Sequence, residues 1–167
     1  KEYTLLMIDH HHNRFQSRHS QDQFLLADKW YKRYLESFRQ HSRKDNIHYQ
    51  YAELLAENNH HAQALVHYEL AAYDGDIILN KKSAYNSILI TSRLHRNESN
   101  ANTKAVLLDK HLNYVRLYAQ LYANDEMAPN IIAHAAELAF QAKRYTDVIS
   151  ITNMVSNNFS ISQLEKT

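Results

Sequence analysis

Histidine is the residue with which this sequence is best supplied for chemistry: there are twelve in 167 residues, including the run His10-His11-His12. Imidazole titrates near pH ~6.5, ligates metals and serves as a general acid or base. Two ligands on one helix must stand three or four residues apart to share a face, as in H-E-x-x-H. Three in a row fan around the axis by about 100° each. No two of the twelve have the required spacing. His12 and His19, His41 and His48, and His60 and His67 are separated by two helical turns, about 10.5 Å and too far for one ion. A metal site would have to be assembled between helices. We therefore assign no metal ligand and expect no cofactor, and we expect His10, His11, His12 and His60 to be exposed.

Other catalytic designs find less material. The sequence has no cysteine, which removes thiolate nucleophiles, thiolate metal sites and a small disulfide-stapled secreted scaffold. Its single glycine, Gly75, cannot furnish a P-loop, a dinucleotide fingerprint or a Gly-x-Ser-x-Gly elbow. Carboxylate pairs such as Asp125-Glu126 fall in stretches that read as loops and should be solvated. Aromatic rings remain. Trp30, Tyr34 and Phe38 step by four, as do Tyr114, Tyr118 and Tyr122. Such a stripe either lines a peptide groove or packs in a core with its phenols reaching the surface, and core is the commoner use. We expect a protein that is not an enzyme. The alternative is a helical enzyme or histidine-based metal-binding domain whose groups converge from distant helices.

Helices must position these residues. One glycine and one proline, Pro129, against about 7% and about 5% in average proteins, leave too few turn formers for barrels and tight hairpins. Apolar residues recur at three and four, and polar clusters interrupt them. This predicts helices over 1–19, 21–40, 46–57, 61–73, 77–96, 103–123, 129–142 and 145–156, another starting at Ser160, and no β-sheet. Ser20 reads as an N-cap, as does Asn102 or Thr103. Asn59 and Gly75 read as helix ends, and Pro129 as a first-turn residue. The net charge of +1 gives no basic field to follow a phosphate backbone, so no nucleic acid is expected. No apolar run approaches the ~20 residues of a membrane helix. The longest are Leu5-Leu6-Met7-Ile8 and Ile88-Leu89-Ile90, so no membrane insertion is expected.

Paired in order, the helices make hairpins that bury only part of their apolar faces until neighbours stack on them, which is the logic of a solenoid. Residues 45–78 carry a closer likeness. A tetratricopeptide-repeat (TPR) unit is a helix–turn–helix of ~34 residues with small residues where the helices cross and Ala-x3-aromatic in the second. Ala64-x3-Tyr68-x2-Ala71 resembles that second helix. Ala52 stands where the first helix wants a small residue, and Leu55 at the next large position. Asn59 and His61 replace the turn glycine and the aromatic after it, and the terminal proline position falls on Asp76. A weaker copy begins at Pro129, with Ala136, Lys143 and Tyr145 at the small, glycine and inter-helix positions, and Val148, Thr152 and Val155 in the second helix. The pair 77–123 has longer helices and lacks the signature.

The resemblance implies an all-α fold, a right-handed TPR-like superhelix of about eight stacked antiparallel helices. It would span 1–167 as a single solenoid, expected to be a fragment of a longer protein. It also implies a concave groove lined by the first helix of each pair. There the outward positions are Asn46, Tyr49, Glu53 and Glu57 on the better repeat, and Asn130, Glu137 and Phe140 on the later one. An aromatic ring beside carboxylates suits a peptide or protein partner with basic and apolar side chains. The expected function is a protein–protein interaction scaffold. The phrase Tyr51-Ala52-Glu53-Leu54-Leu55 is similar to bacterial cell-envelope TPR proteins, the outer-membrane-assembly lipoproteins among them. That implies a periplasmic or envelope-associated setting, with a cytoplasmic regulatory or sensor module as the alternative. An uncapped solenoid end near Phe159–Leu164 would favour self-association.

Overall fold

Most helices end where the polar breaks fall. A computed structural model of the chain describes residues 1–38, 44–74 and 77–164, with side chains for all of these except 44–45 and 155–164. In order they form α1 (Glu2–Arg18), α2 (Gln21–Ser37), α3 (Lys44–Glu57), α4 (His61–Ala72), β1 (Tyr73–Asp74), β2 (Ile77–Ile78), α5 (Lys81–Asn97), α6 (Ala101–Leu121), α7 (Ala128–Gln141) and α8 (Tyr145–Leu164). The fold is all-α. It divides into two compact units, Lys1–Ala72 and Tyr73–Thr167.

With no glycine at the helix ends described, other residues take the left-handed conformation: His19 (φ 47°), Asn59 (φ 62°) and Lys143 (φ 58°). Asn59 and Lys143 are the two positions at which the repeat pattern calls for glycine. Pro129 sits in the first turn of α7, where its missing N–H has no intrahelical partner to lose. Ser20 occupies the N-cap of α2 without a side-chain cap bond.

Four expectations need correction. A two-residue antiparallel ladder pairs Tyr73 with Ile78 and Asp74 with Ile77, where a helix was expected from Ile77. Tyr and Ile favour the extended chain, and the Asn80 side chain sets the helix start four residues later by accepting from Ser83 N–H at 2.9 Å. The cap of α6 is Asn100, which accepts from Thr103 N–H at 3.0 Å; Thr103 receives a cap rather than supplying one. α8 runs through Asn157-Asn158 to Leu164, because two asparagines cost a helix only a few tenths of a kcal/mol each. Asp125 is not solvated: its carboxylate pairs with Lys81 and is only 11% exposed. Gly75 and Asp76, residues 39–43, and the side chains of Val155 and Phe159–Leu164 lie outside the described residues.

In the first unit, α1 packs on α2 and α3 on α4. Its core holds Ile8, Phe15, Phe24, Tyr31, Tyr34, Leu54, Leu55 and Tyr68. Each fully buried leucine contributes about 1.5–3 kcal/mol. Ala27, Ala52, Ala64 and Ala71 are wholly buried, and their small size lets the helix axes approach. Tyr31 stacks on Tyr51 at 4.9 Å, joining α2 to α3, and the Tyr51 hydroxyl donates to Asp28 at 2.6 Å. In the second unit α5, α6, α7 and α8 pack in sequence around Ile88, Leu108, Leu112, Val115, Ile132 and Ile151. Ser83, Ser87 and Thr91 form the small-residue face of α5, all wholly buried. The Ser87 and Thr91 hydroxyls donate to carbonyls one turn back, at 2.9 and 2.6 Å, which hides their polarity inside the helix.

Candidate functional site

The first unit has a cleft between α1 and α3, the first helices of its two hairpins. It encloses about 250 Å³. Asp9, His12, Asn13 and Gln16 line it from α1, and Tyr49, Gln50 and Glu53 from α3. Two of the residues singled out in the sequence, Tyr49 and Glu53, are therefore walls of a concavity. Glu57 marks its end, accepting from the Gln16 amide across the two helices at 3.3 Å. Asn46 is exposed on the same helix. Glu53 also accepts the Tyr68 hydroxyl from α4, which fixes the carboxylate.

His12 is the feature missed from sequence. It and His11 are 9% and 8% exposed, against the expectation that both face solvent; His10 and His60 are exposed as expected. The reason is that α1 turns this side onto α2. His11 Nδ1 donates to the Gln23 amide oxygen at 2.9 Å, and His12 Nδ1 lies 2.6 Å from the Tyr31 hydroxyl. Burial, with Asp9 and Glu57 nearby, pushes the Tyr31 phenol up, so it keeps its proton. The other His12 ring nitrogen, Nε2, is buried with no hydrogen-bond partner. Burial holds His12 below the usual imidazole range, although Glu57 and Asp9 pull the other way. Burial and the adjacent Glu53 raise the Tyr49 phenol, which therefore stays protonated as a donor. The cleft thus combines an imidazole with one unmatched nitrogen, a phenol, three side-chain amides and two carboxylates.

In the second unit Asn130, Glu137 and Phe140 all lie exposed along α7. Phe140 meets Tyr145 edge-on at 5.8 Å. Tyr145, matched to the inter-helix aromatic position, is 56% exposed, and Thr152 is exposed too. The histidines gather here as well. His111 is wholly buried, donates from Nδ1 to the Ile88 carbonyl at 3.2 Å, and meets His134 edge-on at 6.0 Å. His134 Nε2 lies 2.8 Å from the Ser92 hydroxyl. That is a nucleophile–base distance, but Ser92 sits inside α5, where backbone N–H groups are taken up by the helix ladder and cannot form an oxyanion hole. Among the described residues no group of three or more histidines and carboxylates is placed to hold a metal ion, and no helix is long and apolar enough to cross a membrane.

Comparison of the chain with protein-family models finds no match, and comparison with curated proteins finds no significant one.

Proposed function

We propose that the chain is a helical-repeat binding module, not an enzyme, and that the α1–α3 cleft receives an extended segment of a partner protein. The observation that carries this reading is the His12 Nε2 atom, buried without a partner in the wall of a concavity between two first helices. A buried unmatched polar atom costs about 1–3 kcal/mol, and the N–H or C=O of a peptide backbone is the group that relieves it. Gln16, Asn13 and Gln50 offer further bonds to a backbone, Tyr49 a ring for an apolar side chain, and Asp9 and Glu53 charge for a basic one. Hairpin order, buried Ala52 and Ala64 at the crossing, and left-handed Asn59 support the TPR-type superhelix as its architecture. The likeness of Tyr51-Ala52-Glu53-Leu54-Leu55 to cell-envelope TPR proteins is what supports a bacterial envelope assembly as its setting.

Selection of peptides from a random library on the full chain tests this. The reading predicts sequences that place Arg or Lys near an apolar residue, and their loss when selection is repeated on Tyr49→Ala/Glu53→Gln. Sequences without a basic residue, or equal recovery on the variant, would place binding elsewhere.

A further inference from the structure

The second unit holds an open cavity of about 850 Å³ where the C-terminal ends of α5 and α7 meet the first turns of α6. That volume lies within the range of about 300–1,000 Å³ usual for small-molecule sites. Its wall has two characters. Ala105, Leu108 and Leu138 supply apolar surface, while His95, Arg96, Lys104 and His134 supply cationic or ionisable groups. The lining carboxylate, Glu137, accepts the Gln141 amide at 3.1 Å. The charge of Arg144 is matched by Asp109 and Asp147. Neither Arg96 nor Lys104 pairs with a carboxylate among the described residues; the Lys104 ammonium donates to the Glu98 carbonyl at 3.3 Å. His95 is only 8% exposed, and its Nδ1 is buried with no hydrogen-bond partner.

We infer that this cavity binds a small amphipathic anion, a carboxylate or phosphate carried on an apolar body. Cations without counter-charge call for an anionic acceptor, and charge-assisted bonds of that kind are the strong ones. The apolar half of the wall calls for more than a bare ion. This inference stands apart from the peptide cleft, which lies in the other unit. Burial, reinforced by Lys104 and His134, holds His95 below the usual imidazole range. The groups facing it are Arg96 on its own helix, Lys104 and His111 on α6, His134 and Glu137 on α7, and Arg144 before α8. An anion among them raises the His95 pKa, so binding takes up protons and strengthens as pH falls.

The test is a titration of the full chain with octanoate, phenyl phosphate and neutral octan-1-ol, followed by the imidazole NMR signals of His95 and His134. At least one anion should shift both signals saturably, with Kd below about 1 mM, and the tighter of the two identifies the head group. Octan-1-ol should not compete with it. Arg96→Gln/Lys104→Gln should weaken binding about tenfold or more, while Lys82→Gln, a change to an exposed cation outside the lining, should leave it unchanged. No saturable shift with either anion up to about 5 mM, equal binding of the neutral alcohol, or an unaffected double variant would overturn the inference.

Discussion

The Nδ1 atoms of His48 on α3 and His67 on α4 lie 2.9 Å apart, so one imidazole donates to the other. Burial holds His67 down to about 4, with Lys32 adding to the effect and Asp28 opposing it. His111 is likewise held down to about 4, chiefly by burial, with His134 and His95 adding to it and the Ile88 carbonyl opposing. In the unfolded chain both rings take up protons near pH ~6.5. Between those values the unfolded state binds more protons, so stability falls as pH falls. For wholly buried His111 the slope approaches about 1.4 kcal/mol per pH unit. Urea midpoints measured from about pH 7.5 to about pH 5 should decline steadily below the unfolded value. A constant midpoint would show that these rings titrate over the same pH range folded and unfolded.

Ala64 is wholly buried at the α3–α4 crossing. Ala64→Trp forces the helices apart and should cost about 1–3 kcal/mol or more, read as a lower melting temperature. An unchanged melt would mean the crossing has room that the packing does not show.

Lys81 pairs with Asp125, and Asp125 also accepts Met127 N–H at 2.8 Å. The Lys81 hydrogen bond and the Met127 N–H together hold the Asp125 carboxyl below its usual value. Its contribution is present above the unfolded pKa and disappears as pH falls through the depressed one. Asp125→Asn should therefore lose about 0.5–1 kcal/mol at neutral pH, with the difference from the parent closing in strong acid. A gap that persists there would assign the loss to the cap on Met127 rather than to the charge.

Residue size and backbone permissiveness made part of this legible beforehand. Small Ala52 and Ala64 mark a helix crossing because nothing larger fits. Asn59 marks a left-handed helix end because asparagine tolerates it, and Tyr49 and Glu53 share a helix face by spacing alone. The other wall of the cleft was not legible. Asp9, His12 and Asn13 become a site only once α1 lies beside α3, and His12 presents one unmatched nitrogen only because Tyr31 takes the other. Ser92 and His134 are 42 residues apart, a separation at which helical periodicity carries no information. The short ladder at Tyr73 and Ile78 was missed because an apolar run flanking a turn reads equally well as either element.

On the proposed function, a partner segment lies between α1 and α3. The most direct test is a two-dimensional NMR titration of the full chain with one library-selected basic–apolar peptide. Shifts should concentrate on Asp9, His12, Asn13, Tyr49 and Glu53, with His12 Nε2 becoming hydrogen-bonded, and Tyr49→Ala should weaken binding by roughly 2 kcal/mol. Shifts confined to Asn130, Glu137 and Phe140, or a Tyr49→Ala variant that binds as tightly as the parent, would contradict it.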